Sequence, residues 1–343
     1  MMNSDSVRLA VIGGGGWGKN LIRNFVSLER ADLRYICDLD EHRLTQYKEL
    51  YPGVSTTTDF EHVLHDESIK AVVIATPADT HFSLIKQALA TGRLHVFTEK
   101  PLALRLEEAA ELVELSENTG LTLMVGHLLL YHPAVRRLRE LITSDELGDI
   151  YCIYSSRLNL GAIRKVENAW WSLAPHDISI LHYLLDETPL SVAAQGQHFI
   201  QPGIADLVFA TLDFPNRAIA QVHVSWLDPH KMRQLTIVGS KKMVIFDDME
   251  AVEKIKIYDK GVTFDDPVVG YDDFFSIRTG DLYVPHLPMR EPLKLECEHF
   301  LDCVLTGETP LTDAKNGYAV VAVLNAGEES MNKSGAPVEI KAI

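Results

Sequence analysis

A chain of 343 residues, 46% hydrophobic and 23% charged, is long enough for two globular domains, each with its own core. The 48 acidic and 32 basic residues give a formal net charge of −16, and without a long basic run this argues against a nucleic-acid partner. No apolar run approaches membrane-spanning length and no secretory signal is evident, so we expect a cytoplasmic protein with no membrane partner.

The first part of the chain alternates apolar runs with amphipathic segments of helical period. IKAVVIATP, residues 69–77, is typical of these runs, which are apolar almost throughout, as strands covered on both faces should be. This strand–helix repetition predicts an α/β fold. We expect a doubly wound parallel sheet of the Rossmann type over residues 1–126.

The pattern changes after Gly126. Residues 127–343 contain a helix, a strand and a second helix, then a long β-rich stretch, then two closing helices. Several β segments, such as RAIAQVHVSW at 217–226, alternate apolar and polar residues, which is typical of an antiparallel sheet with one open face. We therefore predict a C-terminal α+β domain with a large, mostly antiparallel open sheet, and a homodimer or homotetramer assembled through it.

A glycine-rich turn joins the first predicted strand to the first helix. VRLAVIGGGGWGKNLI fits the pattern G-x-G-x-x-G, in which the glycines permit a tight turn, close approach of a pyrophosphate and close packing of helix on strand. The predicted cofactor contacts in this turn are Gly13, Gly15, Gly16, Trp17 and Gly18.

An acidic residue follows this turn at an informative distance. Asp38 ends the second predicted strand, 20 residues after Gly18. A carboxylate at this place accepts the ribose hydroxyls of NAD and repels the 2′-phosphate of NADP. No basic residue follows directly at Leu39 or Asp40, so NAD is the expected cofactor.

Taken in order, the Gly-rich turn, Asp38, ATPADTHF (75–82), EKP (99–101) and VGH (125–127) resemble the Gfo/Idh/MocA oxidoreductases. These are two-domain, nicotinamide-dependent enzymes that act mostly on sugars, cyclitols and nucleotide sugars, and the resemblance covers essentially the whole chain. It implies an NAD-dependent dehydrogenase of a sugar CH–OH group. It also implies further cofactor contacts, at Thr76, Pro77, His81, Glu99 and Lys100.

The resemblance makes Lys100 a catalytic residue that orients or polarises the reacting hydroxyl. Lys100 stands at the carboxyl end of a predicted strand, where doubly wound sheets face their ligands. An ammonium there can donate to an alkoxide as charge develops on it. Pro101 restricts the backbone of Lys100, so its side chain is aimed rather than free.

A second family signature is an aspartate, three residues, then a histidine on a helix of the C-terminal domain. In WWSLAPHDISILHYLL the matching positions are Ser172 and His176. His176 is the predicted general base, because an unperturbed imidazole titrates near about pH 6.5. Ser172 can hydrogen-bond a substrate but cannot replace the charge of the family carboxylate. Asp177 points elsewhere around the helix.

The segment before His176 suggests a substrate. The pattern R-x-N-x-G…W-W-x-L-x-P-H-D resembles the branch that oxidises C3 of UDP-N-acetylglucosamine and passes the 3-keto sugar to an aminotransferase, which would be a pathway partner. Basic and amide side chains here could serve a diphosphate and sugar hydroxyls. The predicted substrate contacts are Tyr131, Arg157, Asn159, Arg164, Asn168, Ser172 and His176.

Two alternatives remain open from the sequence. A free-sugar or inositol dehydrogenase of the same fold would not need Arg157 and Arg164. A redox-silent regulator that binds a dinucleotide would not need Lys100 and His176, and their presence argues against it. The absent carboxylate at Ser172 leaves this alternative open. We expect no metal, because the histidine pairs lack a third ligand.

Overall fold

A computed structural model describes residues 6–161, 163–264 and 275–341. Over these residues the chain forms two compact units, the first from Met1–Tyr131 with Arg290–Ala322 and the second from His132–Met289 with Val323–Ala342. The predicted division into residues 1–126 and 127–343 assigned residues 290–322 to the second domain, whereas these residues pack with the first unit.

The first unit contains the predicted parallel sheet. All its neighbouring strands pair in parallel, in the order β3-β2-β1-β4-β5-β6. The strands are β1 (Val7–Ile12), β2 (Ala31–Cys37), β3 (Ser55–Thr57), β4 (Ala71–Ile74), β5 (His95–Glu99) and β6 (Leu123–Gly126). Strands β1 and β4 are almost wholly buried, as their apolar sequences predict.

Helices connect the strands of this sheet in the doubly wound manner. They are α1 (Gly18–Ser27), α2 (Glu41–Leu50), α3 (Phe60–His65), α4 (His81–Ala90) and α5 (Leu106–Thr119). Each helix lies between two parallel strands in sequence, so each runs antiparallel to the sheet. The carboxyl ends of the strands therefore lie at the edge where these helices begin.

The chain returns to the first unit as α8 (Pro292–Thr306). Two ion pairs show that this helix runs in the same direction as α1. Arg23 in α1 pairs with Glu291, just before α8, and Arg30, three residues after α1 ends, pairs with Asp302, near the end of α8. The Phe300 ring packs edge-on against Phe25, with ring centroids 6.4 Å apart. These apolar and ionic contacts explain why residues 290–322 pack with the first unit. The unit boundary falls inside α9 (Ala314–Asn332).

The second unit contains α6 (Pro133–Thr143), α7 (Ala169–Leu185) and a nine-stranded sheet of order β14-β13-β12-β11-β7-β10-β9-β8-β15. All neighbours pair antiparallel except β7 with β10. The strands are β7 (Ile150–Leu158), β8 (Ser191–Gln197), β9 (Leu207–Asp213), β10 (Ile219–Ser225), β11 (Met232–Gly239), β12 (Met243–Asp247), β13 (Ile255–Phe264), β14 (Phe275–Tyr283) and β15 (Val338–Glu339).

Both sheet predictions are confirmed, and so is the α/β class of the chain. In β10 the buried Ala220, Val222 and Val224 alternate with Ile219, Gln221 and His223, which are more exposed. This period-two burial leaves one face of the central strands uncovered within the unit.

Candidate functional site

The Gly-rich turn has the geometry that its sequence predicts. Gly13 has φ +93°, and a Cβ there would lie 2.6 Å from the carbonyl oxygen of Ala75. A Cβ at Gly18, where α1 begins, would lie 1.9 Å from the carbonyl oxygen of Gly13. A larger residue at either position would therefore force the backbone apart.

The middle of the turn is open to a ligand. A Cβ at Gly15 would meet nothing closer than the Arg43 side chain at 4.0 Å, and one at Gly16 would meet nothing within 4 Å. This bare backbone at a helix N-terminus fits a pyrophosphate. It borders a cleft of about 380 Å³ lined by Gly14, Gly15, Gly16, Lys19, Arg43, Gln46, Tyr47 and Leu50.

Asp38 lies at the end of β2, next to this turn. Its carboxylate accepts from the Gly14 amide at 2.7 Å and the Asp40 amide at 2.9 Å. Arg43 Nη1 donates to both oxygens, at 2.8 and 2.7 Å. Burial opposes ionisation, but the bonds from Asp40, Arg43 and Gly14 outweigh it and hold the pKa of Asp38 below its ordinary value.

Arg43 is a residue that the sequence did not single out. It stands in the first turn of α2, a helix capped by the Asp40 side chain, which accepts from the Arg43 amide at 3.1 Å. This cap turns the guanidinium back towards Asp38. The sequence does contain a signal for Arg43, because it lies five residues after Asp38. The first turn of a helix that begins just after a strand lies close to the end of that strand, so a side chain in this turn can reach Asp38.

The loop after β4 is tied to the EKP segment by His81. The His81 ring is 1% exposed, with Nδ1 at 2.7 Å from the Pro101 carbonyl and Nε2 at 3.0 Å from the Thr76 carbonyl. Burial lowers the pKa of His81. The neutral ring has one N–H, so it donates to one of these two carbonyl oxygens. Both ring nitrogens lie against the backbone, so His81 packs between Thr76 and Pro101 and turns neither nitrogen to a ligand. Thr76 is half-buried and Pro77 exposed, next to a short 3₁₀ turn.

Glu99 and Lys100 stand where β5 ends. Trp17 of the Gly-rich turn donates its indole N–H to Glu99. A Cβ at Gly126, on the neighbouring β6, would lie 3.2 Å from the Glu99 carboxylate, so glycine leaves room for this side chain. Burial raises the pKa of Glu99 to about 7, against the opposing effects of Lys100 and the Trp17 bond.

His127 of the VGH motif lies beside Lys100. Its Nδ1 is 2.7 Å from Asn316 Oδ1 and its Nε2 is buried. Burial lowers the pKa of His127 to about 4; the Asn316 bond opposes this effect and the Lys100 charge adds to it. His127 is therefore neutral at physiological pH, and Lys100 supplies the positive charge at this strand end.

Helix α7 of the second unit carries Ser172 and His176 one turn apart. The helix begins at Ala169, where the Asn168 side chain caps it and accepts from the Trp171 amide at 3.1 Å. Pro175 therefore lies inside the helix and does not start it. Ser172 and His176 are both half-buried. Their i, i+4 spacing places them on one helix face, as the sequence predicts.

Asp177 faces the sheet and holds Arg157. Arg157 donates through Nε at 2.7 Å and Nη2 at 3.0 Å, and Ser155 Oγ donates at 2.7 Å. Arg157 is 6% exposed and Asp177 is 2% exposed. The expectation that Arg157 is a free cation for a diphosphate needs correction, because the carboxylate of Asp177 already pairs with it.

Other expected substrate contacts divide into buried and accessible residues. Tyr131 is fully buried with its hydroxyl 3.3 Å from Thr312 Oγ1, so it packs inside the first unit and has no surface for a sugar. Asn168 caps α7 and donates to Glu328 at 2.9 Å, which is a structural role. Asn159 is half-buried and Arg164 is exposed, 3.4 Å from Glu167.

The described part of the chain contains no group of three or more His, Cys, Asp or Glu residues arranged to hold a metal ion. Within the same ranges, no helix has both the length and the apolar character needed to cross a membrane.

Comparison with known families matches both units of the chain. Residues 7–127 match the oxidoreductase family with an NAD-binding Rossmann fold, and residues 135–245 match the GFO/IDH/MocA C-terminal domain. The chain is 26% identical to the uncharacterized oxidoreductase YrbE of Bacillus subtilis over 62% of this chain, and the match spans 65% of that protein, less than two thirds. It is 27% identical to scyllo-inositol 2-dehydrogenase (NAD(+)) of Bacillus subtilis, over 97% of this chain and 96% of that protein.

Solved structures show the same fold. GenD2 from gentamicin A biosynthesis, solved in complex with NAD, is 24% identical with a TM-score of 0.82, covering 98% of this chain and 97% of that one. UDP-N-acetylglucosamine 3-dehydrogenase GnnA from Acidithiobacillus ferrooxidans is 22% identical with a TM-score of 0.79, covering 96% of this chain and 98% of that one.

Proposed function

Since the chain belongs to the Gfo/Idh/MocA oxidoreductases and has their NAD-binding Rossmann domain, we propose that it is an NAD-dependent dehydrogenase of a secondary sugar hydroxyl. The observation that carries this proposal is the open backbone at Gly15 and Gly16 beside the buried carboxylate of Asp38. The turn can hold a pyrophosphate, and the carboxylate can accept two ribose hydroxyls.

The proposed roles of the catalytic residues follow from their chemistry. NAD, when bound, supplies the hydride acceptor. His176 takes the proton of the reacting hydroxyl, and Lys100 donates a hydrogen bond to the oxygen as negative charge develops on it. Ser172 offers a hydroxyl to the substrate one helical turn before His176.

The proposed substrate is a nucleotide-activated sugar such as UDP-N-acetylglucosamine, oxidised at C3 to the 3-keto sugar. Support comes from the segment between β7 and α7, where Asn159 and the exposed Arg164 offer amide and guanidinium donors. A guanidinium matches phosphate oxygens in a two-pronged geometry. An aminotransferase that consumes the keto sugar is the proposed pathway partner.

A free-sugar or inositol substrate is the second candidate. It is favoured by the bond between Arg157 and Asp177, which removes one of the two arginines expected at a diphosphate. The near full-length similarity to an inositol dehydrogenase points the same way. The third candidate is a redox-silent regulator that binds the dinucleotide, supported by the serine at position 172 in place of the family carboxylate.

The deciding experiment follows NADH formation at saturating NAD with UDP-N-acetylglucosamine, free N-acetylglucosamine, glucose, scyllo-inositol and myo-inositol. An aminotransferase with glutamate removes the keto product, because oxidation of the alcohol alone is unfavourable. We expect turnover of the UDP sugar and a loss of kcat of about 10²–10⁴-fold in Lys100→Ala and His176→Ala.

The matched control is Arg164→Ala. For a nucleotide sugar this variant should raise KM for the UDP sugar with little change in kcat, since a phosphate contact far from the reacting carbon contributes to binding. Turnover of inositols or free sugars, with no reaction of UDP-N-acetylglucosamine, would contradict the nucleotide-sugar proposal. NAD binding without turnover of any of them would support the regulator.

A further inference from the structure

A buried carboxyl group in the first unit has no part in the chemistry described above. Glu296 on α8 is 0% exposed, and neither of its oxygens has a hydrogen-bond partner among the described residues. Burial raises the pKa of Glu296 well above its ordinary value, and the nearby Glu99 raises it further. A buried carboxylate without a partner is costly, so Glu296 is the neutral acid at physiological pH.

The contact between Phe97 and Phe300 indicates that Glu296 lies beside Glu99 along the direction of β5. Phe97 and Glu99 lie two residues apart on one face of β5, and Glu296 and Phe300 lie four apart on one face of α8. The Phe97 and Phe300 ring centroids are 5.7 Å apart. Two strand residues span about 7 Å and four helical residues about 6 Å.

The direction of α8 shows that Glu296 and Glu99 lie on the same side of the contact between Phe300 and Phe97. Helix α8 runs parallel to α1 and hence antiparallel to β5, so the step from Phe300 to Glu296 leads the same way as the step from Phe97 to Glu99. Both carboxyl groups therefore lie towards the carboxyl end of the sheet, where the Gly-rich turn begins α1.

Of the two carboxyl groups, Glu99 is the one that accepts the hydrogen bond, because of the groups around the pair. These groups are Lys100 just after β5, the indole N–H of Trp17 in the Gly-rich turn, and the neutral His127 just after β6. On α8 itself, burial raises the pKa of the Cys297 thiol well above its ordinary value, with Glu296 and Glu99 adding to the effect, so the thiol is neutral. A protonated carboxyl has one O–H to donate. Lys100 and the Trp17 bond favour the ionised form of Glu99, whereas no such group among the described residues favours ionisation of Glu296, so Glu99 is the member of the pair that ionises first and accepts.

We propose that Glu296 is a positioning residue of the NAD-binding unit, which keeps its proton and donates a hydrogen bond to Glu99. Once Glu99 ionises, the two carboxyl groups carry one negative charge between them. That charge holds the Trp17 indole, and with it the Gly-rich turn, against the strand end that carries Lys100. The proposal concerns the cofactor half of the protein and does not depend on which sugar is oxidised.

The first test compares the stability of the wild type and Glu296→Gln by urea unfolding between pH 5 and 8.5. The unfolded chain loses the Glu296 proton above about pH 4.3, whereas the folded protein keeps it, so folding is disfavoured as pH rises. The unfolding constant of the wild type, relative to Glu296→Gln, should rise by up to about tenfold per pH unit.

Glu298→Gln is the control for this test. Glu298 lies on the same helix with its side chain 29% exposed, and it pairs with Arg290 at 2.9 Å. The ratio of its unfolding constant to that of the wild type should not change with pH in this window. Two outcomes would mean that Glu296 is ionised and would overturn the proposal. One is a ratio for Glu296→Gln that also does not change with pH, and the other is a variant whose stability relative to the wild type is lowest at high pH.

The second test measures the affinity for NADH, by fluorescence titration, in Glu296→Gln and Glu296→Leu across the same pH range. A glutamine N–H can replace the carboxyl O–H, so Glu296→Gln should keep the wild-type affinity. Leucine leaves Glu99 without this donor, so the affinity of Glu296→Leu for NADH should fall about tenfold. Loss of the donor also raises the pKa of Glu99, so on acidification the NADH affinity of this variant should begin to fall at a higher pH than that of the wild type.

The two tests separate this proposal from the proposed function, since neither uses a sugar. An affinity in Glu296→Leu that matches the wild type at every pH would show that Glu296 does not position Glu99. Equal losses in both variants would show that the side chain has a packing role alone, because the conservative variant would then fail to rescue.

Discussion

At the scale of single residues, Asp38 has three partners of two kinds. The backbone amides of Gly14 and Asp40 hold the carboxylate in place, and the Arg43 guanidinium neutralises it. In the proposed cofactor site, Arg43 is the group that can move when Asp38 accepts ribose hydroxyls, because it is a side chain on the surface of the cleft. We therefore expect both Asp38 and Arg43 to influence the choice between NAD and NADP.

We expect Asp38→Ala to reverse this choice. Loss of the charged acceptor should weaken NAD binding by about tenfold or more. The released Arg43 can pair with a 2′-phosphate, so NADP binding should become tighter. Fluorescence titration with NADH and NADPH measures both affinities.

The control for this substitution is Asp59→Ala. It removes the cap of α3, at a cost of about 1 kcal/mol in helix stability, but leaves Asp38, Asp40 and Arg43 in place. The ratio of the two affinities should then be that of the wild type. An Asp38→Ala variant that binds NADPH no better than before would argue against a role for Arg43.

At the scale of elements, Asp177 joins α7 to β7. Its carboxylate accepts from Arg157 twice and from Ser155 once, all on the buried side of the helix. This contact sets the rotation of α7 about its own axis. Because Ser172 and His176 share one face of the same helix, the buried pair also decides where that face points.

Asp177→Asn should therefore be strongly destabilising. Removing one partner of a buried ion pair leaves an uncompensated charge and costs about 3–5 kcal/mol in the free energy of unfolding. Urea unfolding measures this cost. A double substitution, Arg157→Met with Asp177→Leu, should recover much of it, because no buried charge then remains.

Asp186→Asn provides the comparison, since Asp186 pairs with Arg139 at 3.2 Å but its side chain is 81% exposed. Exposed pairs contribute about 0–1 kcal/mol. Equal costs for Asp177→Asn and Asp186→Asn would mean that the Arg157–Asp177 pair does not fix α7.

At the scale of the whole molecule, the nine-stranded sheet leaves large apolar side chains on its open face. Tyr154, Phe209 and Ile219 are 46%, 52% and 44% exposed, and the Phe209 ring stacks on His223 with centroids 4.2 Å apart. Three strands contribute to this patch. We propose that a second copy of the chain covers it in a homodimer or homotetramer.

Phe209→Lys tests the assembly. A charge at the centre of a buried interface is costly, so the variant should have the mass of a monomer by light scattering where the wild type has that of a dimer or tetramer. Phe199→Lys, in the loop after β8 and 66% exposed, should keep the wild-type mass. A monomeric wild type would remove the basis for this assembly.

Much of this protein was determined by local sequence. The alternation of apolar runs and helical segments decides the two sheets, because burial on one or both faces of a strand leaves its own period. The Gly-rich turn is equally local, since Gly13 needs a positive φ and Gly18 a bare Cα. Asp38 could be predicted as a cofactor contact because it follows this turn at a set distance.

Only the tertiary structure decided which charged groups meet. Arg157 and Arg164 look alike in sequence, but one lies under α7 with Asp177 and the other lies exposed beside Glu167. Tyr131 stands near motif residues yet is buried, and Glu296 belongs to a helix that returns from the end of the chain to Glu99. The physical reason is that burial and pairing change the pKa and availability of a side chain, and both depend on elements far away in sequence.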